Sequence, residues 1–369
     1  MKKVLFTATL DSHILQFHIP YLKMFKEQGY QVHVATNEEN EIPFCDVKHV
    51  VCFERNPIKI NNLRAIRCLN KIIDKEKFDI IHCHTPMGGV VTRLAAKKAR
   101  KAGTKVIYTA HGFHFFKGAP IKNWLIFYTI EKWLAKYTDT LITINEEDYK
   151  LAKRKFKKIK NIEYVHGIGL DTTKFDIDIT KKELNDLRNQ IEINEDNIIL
   201  TYVAELNKNK NQILLIKIIE NLIKQNDKYR LVLVGDGDKR EEYQNYVRLN
   251  DLQKYVKFLG RRNDIPQILK ITNIYVASSI REGLPVNILE AMYMGLPIIA
   301  MDNRGHRDLI KNKENGFLIK NEIEMREKIK KLSSDKDLII HLRKNGKEEI
   351  AIYSLVNIMK KMKKIYKGI

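Results

Sequence analysis

Cysteine is scarce in this chain of 369 residues, and its placement excludes two classes of protein. The four, Cys45, Cys52, Cys68 and Cys83, all fall in the first quarter, and none forms a Cys-x-x-Cys pair. That spacing argues against both a disulfide framework and a zinc ribbon. Long apolar runs are also missing. Trp124 to Ile130 is among the longest, far short of the roughly 18 residues that cross a bilayer, so membrane contact is expected to be peripheral. Met1-Lys-Lys followed by Val4 to Leu10 begins like a secretory signal, but Asp11, Ser12 and His13 stop the apolar run too early, which points to the cytoplasm. The spaced Gly-x-Gly-x-x-Gly fingerprint of dinucleotide binding is absent too; Val234-Gly-Asp-Gly237 is only a strand ending in a glycine turn. His82-Cys83-His84 suggests metal at first sight, yet on a strand its two histidines share a face while the cysteine points away, as in a packed strand end.

What the chain has in excess is positive charge, a net +21 that is unevenly spread. Residues 1–170 hold 29 lysines and arginines against 16 acids, and residues 346–369 hold six against two, leaving a net of only +4 for residues 171–345. Two clusters stand out, Lys150 to Lys160 and Lys360 to Lys367. In the first, Leu151, Lys155 and Lys158 share a helical face with little apolar content, which fits attraction to an anionic membrane surface, through Lys153, Arg154, Lys157 and Lys158, better than insertion. Nucleic acid is the other anionic partner such clusters suit, and a lysine-rich composition would explain them without any partner.

The chain is long enough for two domains with full cores. Short β-branched runs alternate with helical patterns throughout, which predicts parallel sheets flanked by helices. Strands are expected at Val4 to Thr9, Gln31 to Thr36, Asp79 to His84, Lys105 to Ala110, Thr140 to Ile144 and Ile162 to Val165, with helices near 14–28, 61–76, 89–102, 121–137 and 146–158. A second set follows at Ile198 to Ala204, Arg230 to Val234, Val256 to Leu259, Ile274 to Ser278 and Pro297 to Met301. Gly167-Ile-Gly-Leu-Asp-Thr-Thr-Lys-Phe175 reads as a linker, giving an expected first domain of 1–170, a second of 171–345, and a final helix over 346–369 that caps the second domain or crosses back to the first. Ligands of open parallel sheets bind beyond the carboxyl ends of the strands, where His84, His111, Glu205, Gly235 and Glu282 fall. Two such domains facing each other would form a cleft.

The most informative stretch is Arg281-Glu-Gly-Leu-Pro-Val-Asn-Ile-Leu-Glu-Ala-Met-Tyr-Met-Gly-Leu-Pro-Ile-Ile-Ala300. A glycine-proline turn opens an apolar helix, and the free amides of its first turn, from Leu284 through Pro285 and Val286 to Asn287, are expected to receive a diphosphate. Glu282 and Glu290 could each accept hydrogen bonds from vicinal hydroxyls, one pair on a sugar and one on a ribose; two solvated carboxylates are the plainer alternative. Tyr108-Thr-Ala-His-Gly-Phe-His-Phe-Phe-Lys-Gly-Ala-Pro120 leaves a strand into a loop of aromatics, histidines and glycines. There His111 could bond a sugar hydroxyl, a phosphate or a local carbonyl, and Phe113 could cover a sugar face. Lys208 and Lys210, in the loop after the second domain's first strand, could meet a diphosphate; Gly235 and the backbone at Arg261 lie in turns that could hold the rest of a nucleotide.

Together these segments resemble the family-four retaining glycosyltransferases of the GT-B fold over nearly the whole chain. The resemblance rests on Glu282 to Glu290 with Gly-Leu-Pro-Ile-Ile-Ala behind it, on Thr109-Ala-His-Gly112, Val234-Gly-Asp-Gly237, Phe258-Leu-Gly260 and the Gly-Leu-Asp-Thr-Thr-Lys-Phe linker. The His111 loop and Glu205 to Asn211 look more narrowly like bacterial enzymes that build capsular or exopolysaccharide units on undecaprenyl diphosphate. The resemblance implies a UDP-sugar donor, a lipid-linked saccharide acceptor and retained anomeric configuration. It implies that Glu282 touches the donor sugar, Glu290 the ribose, Lys210 the diphosphate, and His111 the transferred sugar. No metal or other cofactor is expected, since lysines and helix-end amides can hold the diphosphate. Two departures stand out: Glu205 occupies a position where the family usually has arginine, and Leu10 to His18 replaces its usual glycine pair. A UDP-sugar epimerase of related fold and a basic nucleic-acid-binding protein are the rival readings; against the second, aromatics are not interleaved with the basic clusters.

Overall fold

Each half of the chain builds one fully parallel sheet whose central strands are buried on both faces. The computed structural model describes residues 1–368 and divides them into two units: Met1–Ile168 with the chain from Ile358 onward, and Gly169–Asn357. In the first unit, β1 (Lys3–Thr7), β2 (Gln31–Thr36), β3 (Val47–Val50), β4 (Ile80–Cys83), β5 (Lys105–Ala110), β6 (Thr140–Thr143) and β7 (Asn161–Tyr164) lie in the order β3-β2-β1-β4-β5-β6-β7. In the second, β8 (Ile198–Val203), β9 (Tyr229–Val234), β10 (Val256–Gly260), β11 (Ile274–Ala277), β12 (Ile298–Met301) and β13 (Phe317–Ile319) lie in the order β10-β9-β8-β11-β12-β13. Parallel strands need crossovers, and the helical stretches between them supply these on both faces. Each sheet reverses direction of winding once, between β1 and β4 and between β8 and β11. Those are the topological switch points where crevices form.

Alternation along β1 shows how the first core is divided. Val4 and Phe6 point to one face, with Leu22, Phe25 and Val34, while Leu5 points to the other, with Leu69, Ile81 and Val106. The first of these clusters is completed from far away in sequence. Helix Leu355–Lys367 contributes Ile358, Met362, Ile365 and Tyr366 to it, and Tyr366 Oη lies 2.7 Å from His82 Nδ1. The lysines of that helix, Lys360, Lys361, Lys363, Lys364 and Lys367, stay exposed.

A buried ion pair joins two crossover helices of the same unit. Arg93, on helix Pro86–Ala95, is 1% exposed; its Nη1 and Nη2 donate to Glu131 Oε2 and Oε1 at 2.8 and 3.0 Å, and its Nε to Gly89 O at 2.8 Å. The guanidinium lies 4.0 Å over the Tyr108 ring. Burial pulls the Arg93 pKa down, but the charge and hydrogen bonds of Glu131 outweigh it and the net shift is upward. Gly89 makes room for this stack, since a Cβ there would sit 2.5 Å from Tyr108 Cε2.

Several expectations need correction. The helix expected near 14–28 is two helices, Asp11–Phe17 and Ile19–Glu27, because Pro20 can sit only in a first turn and forces a new start at Ile19. Strands β3 and β13, edge strands of four and three residues, were not expected. The last helix begins at Leu355 rather than near 346; residues 346–357 belong to the second unit. With these bounds the first unit carries 34 basic residues against 16 acidic ones, and the second 32 against 29. The charge asymmetry is therefore a property of one folded body.

Candidate functional site

In the second unit the two loops that leave the switch point are laced together. Ile280 N donates to Asn209 O at 2.8 Å, Asn209 Nδ2 to Arg281 O at 2.9 Å, and Ser278 Oγ to Lys210 O at 2.7 Å. Lys210 N is in turn held by Asn207 Oδ1 at 2.9 Å. This lattice brings Lys210 Nζ to 2.5 Å from Glu282 Oε1, with both side chains largely buried. The cation and the carboxylate singled out in the sequence thus meet directly. Lys208 and Glu205 are exposed, and the carbonyl of Glu205 accepts from Gln212 Nε2 at 2.9 Å.

Helix Val286–Tyr293 starts just beyond, capped by Pro285 without a side-chain acceptor. Its amides are fewer than the sequence suggests. Pro285 has no N–H, and the amide of Ile288 is taken by Asn287 Oδ1 at 2.9 Å. Among the described residues the amides of Gly283, Leu284, Val286 and Asn287 have no partner. Asn287 Nδ2 donates to Val203 O at 2.7 Å, which pins the helix start to the end of β8. Glu290, one turn on, is half-buried, and burial raises its carboxyl to about 7 while the charge of Lys174 works against the rise.

Behind Glu282 lies a segment that the sequence reading missed. Arg304 Nε donates to Glu282 O at 3.2 Å, and Gly305 approaches so closely that a Cβ would lie 2.7 Å from Glu282 Cβ and 2.9 Å from Gly283 O. Asn303 caps helix Arg304–Leu309 and donates Nδ2 to Ser279 O at 2.9 Å. His306 is buried, its Nδ1 2.5 Å from Met301 O; burial lowers its pKa although the nearby Glu282 opposes this. Arg304 places a second cation beside the turn, on the side opposite in sequence from the usual arginine position that Glu205 occupies. Its signal in the sequence was Asn303-Arg-Gly-His306 directly after a buried strand, an N-cap residue followed by a glycine.

Gly235 and Arg261 follow the ends of β9 and β10. Gly235, at φ +136°, packs against the chain: its N donates to Gly260 O at 2.8 Å and a Cβ would collide with Ala204 O at 2.1 Å. It keeps two strand ends close together, and Arg261 beside it is exposed.

In the first unit the switch point gathers histidines. His84 follows β4, His111 follows β5, and His13 and His18 come from helix Asp11–Phe17 and its C-cap. His111 Nε2 lies 3.2 Å from His13 Nε2 and 3.3 Å from His84 Nδ1. Burial lowers the pKa of all four, His13 to about 4, so these rings are neutral near pH 7. His82 stands behind them, with Nε2 2.8 Å from Thr109 Oγ1, on the same strand face as His84 as the alternation required. Phe113 does not cover a ligand: it is a core residue, stacked on Phe115 at 4.7 Å. Phe113 and Phe115 share a buried cluster with Tyr108, Ala110 and Phe156, while His114 and Phe116 stay partly exposed.

The basic cluster is a true surface. Lys153, Arg154, Lys157 and Lys158 are exposed around the buried Leu151, Phe156 and Ile159. The same unit also exposes apolar side chains between residues 121 and 133: Ile121, Leu125, Ile126 and Trp133. No helix among the described residues is long and apolar enough to cross a membrane.

Comparison with known proteins covers both units. The family described as glycosyl transferases group 1 matches residues 184–349, and that described as glycosyl transferase 4-like matches residues 3–145. A Bacillus subtilis protein assigned by name to the glycosyltransferases, EpsD, is 45% identical over 99% of this chain and 96% of its own length. The Escherichia coli UDP-Gal:alpha-D-GlcNAc-diphosphoundecaprenol alpha-1,3-galactosyltransferase is 32% identical over 85% of this chain and 81% of its own. Among solved structures, Anabaena HepE in complex with UDP and glucose superposes with a TM-score of 0.80 over the whole of both chains at 19% identity, and WaaG, a glycosyltransferase of lipopolysaccharide biosynthesis, with 0.75 at 14%, over 98% of this chain and 99% of its own. Those two likenesses establish the fold as GT-B.

Proposed function

The chain belongs to the group 1 glycosyltransferases, and from that premise we propose that it moves a hexose or N-acetylhexosamine from a UDP-sugar to an undecaprenyl diphosphate-linked saccharide, with retained configuration. The observation that carries the reading is the Lys210–Glu282 pair at 2.5 Å beside the unpartnered amides of the helix start. Cation and amides form a preplaced receptor for a diphosphate, which needs no metal there. When the diphosphate takes Lys210, Glu282 is freed to accept hydroxyls of the donor sugar, and Glu290 those of the ribose. The acceptor hydroxyl then attacks the anomeric carbon as the bond to the diphosphate breaks, and its proton passes to the leaving phosphate oxygen on the same face. His111 contacts the transferred sugar.

The lipid-linked acceptor is supported by the names of relatives: the Escherichia coli enzyme above and a Campylobacter jejuni diphospho-undecaprenol N-acetylgalactosaminyltransferase, 25% identical over 98% of this chain. The place of such an enzyme is capsular or exopolysaccharide assembly at the inner face of the membrane, where the basic unit meets anionic lipid. The test is UDP release from a panel of UDP-sugars with and without an undecaprenyl diphosphate-linked saccharide. Release that requires the acceptor supports transfer; sugar interconversion without acceptor would replace it with epimerisation.

The pKa of Glu290 gives a second expectation. A UDP-sugar keeps its charge between pH 6 and 8, so its dissociation constant should fall by up to about tenfold over that range as Glu290, at about 7, ionises and becomes a pure acceptor. Glu290→Gln should flatten the profile in a calorimetric titration. Because the folded pKa lies above the ordinary carboxylate value, the native state binds the extra proton between about pH 4.5 and 7, so this group's contribution to stability falls as pH rises through that window. Glu290→Gln should therefore raise the melting temperature of the free protein above pH 7, even though it weakens the donor.

Replacing Lys153, Arg154, Lys157 and Lys158 together by glutamine should weaken binding to phosphatidylglycerol vesicles on the order of 10³-fold at low salt, taking about 1 kcal/mol per residue near an anionic surface. Turnover of a soluble acceptor analogue should not change. Unaltered sedimentation with vesicles removes this cluster from the membrane contact.

A further inference from the structure

His13, His18, His84 and His111 each offer a ring nitrogen within 4.8 Å of the other three. We propose that these four imidazoles hold a divalent transition metal of the zinc class at the switch point of the first unit. The ligand atoms are of one kind. Imidazole nitrogen suits Zn²⁺ and its neighbours in the first transition row, and no carboxylate belongs to the group that would favour Mg²⁺ or Ca²⁺.

Distances point the same way. Two zinc-bound nitrogens at about 2.0–2.1 Å from a tetrahedral ion stand about 3.3–3.4 Å apart. His111 Nε2 lies 3.2 Å from His13 Nε2 and 3.3 Å from His84 Nδ1, close to two edges of such a tetrahedron. His18 is packed against the same group, its ring stacked on His84 at 3.8 Å between centroids.

Hydrogen bonding alone does not satisfy these rings. Both nitrogens of His18, which is 2% exposed, are buried without a partner. Every neutral imidazole carries one N–H and one lone pair, so a buried ring with neither used is costly, and a metal is the partner that accepts lone pairs from several at once. His82 provides the contrast. It lies 4.1 Å from His84 between centroids, but Tyr366 and Thr109 occupy both its nitrogens, and it stays outside the set.

The set is anchored on rigid parts of the unit, at the ends of β4 and β5 and on one helix with its cap, as a metal site requires. His18 and His84 are buried whereas His13 and His111 are half-exposed, which leaves one side for the ion to enter. Metal at Nε2 of His111 places that ring's proton on Nδ1 and makes Nδ1 an obligate donor. This is compatible with the sugar contact proposed above, which Nδ1 would make as a donor, and does not depend on it, because all four ligands belong to the first unit.

The test uses the full chain, stripped with a chelator and dialysed, and titrated with zinc in competition with a chromophoric chelator. One zinc per chain is expected, together with a rise in melting temperature, whereas Mg²⁺ at the same concentration gives neither. Cobalt in place of zinc should give the visible d–d absorption of a nitrogen-ligated tetrahedral ion. His13→Ala and His111→Ala should each weaken zinc by more than about 100-fold, beyond what loss of an outer-sphere partner does, and the exposed His341→Ala should not. The proposal is overturned by wild-type protein without stoichiometric zinc, by a cobalt spectrum of octahedral type, or by binding that persists in a His13→Ala/His111→Ala double variant. The wild-type cobalt spectrum decides the matter if a variant does not fold.

Discussion

Glu282→Ala is expected to reduce transfer by at least about 10²- to 10³-fold, the loss that follows when one preplaced polar group at a reacting centre is removed. Two functions go with it. The carboxylate proposed to accept the donor sugar's hydroxyls is lost, and Lys210, held 2.5 Å from it in the free protein, is no longer positioned before a diphosphate arrives. Glu282→Gln separates the two, because the amide still reaches hydroxyls but does not fix the lysine by charge; its defect should be smaller and should appear chiefly in KM. Lys210→Ala should lower kcat, since the leaving diphosphate develops its charge in the transition state. If the pair served only the fold, both alanine variants would share a lowered melting temperature and normal turnover. Full activity in Glu282→Ala would falsify the assignment of the site.

The largest expected effect on stability is at Glu131. Its removal leaves the Arg93 guanidinium, 1% exposed, with Gly89 O and the face of Tyr108 but no counter-charge. Breaking a buried pair in this way costs about 3–5 kcal/mol, whereas exchanging both partners for apolar residues of similar volume is often neutral. Glu131→Ala should therefore shift the denaturation midpoint of the first unit strongly, and Arg93→Met/Glu131→Leu should recover most of the loss. The readout is direct, since the chain's only tryptophans, Trp124 and Trp133, both lie in that unit and their fluorescence follows its unfolding. A single variant within about 1 kcal/mol of wild type, the range of exposed pairs, would show that the pair is screened.

Central strands were legible because parallel strands buried on both faces read as continuous apolar runs: each of the eleven expected segments contains or overlaps a strand. Edge strands gave no such signal. Val47–Val50 is mostly half-buried and Phe317–Ile319 is only three residues long, too short for any period to show. Glu282, Glu290 and the helix between them were readable because the whole element is local in sequence. Lys210 was readable because a strand end fixes where its loop begins. The histidine group was not readable as a group. Its members stand at positions 13, 18, 84 and 111, and only the order β1-β4-β5 makes them neighbours. Arg304 and Gly305 escaped for the same reason, since what they do depends on a turn 22 residues earlier. Phe113 shows the opposite error: an aromatic loop was read as open to ligand, when the neighbouring helix and Phe156 bury its rings.

The helix that carries Ile358, Met362, Ile365 and Tyr366 has a consequence for how the protein is made. The second unit is made as one continuous stretch, while the first, though begun earlier, lacks one side of its core and the hydroxyl that meets His82 until that stretch has been synthesised. Domains usually mature in order of synthesis. Here that order is not kept: the basic unit, begun first, cannot complete its core until the chain that forms the second unit has been made.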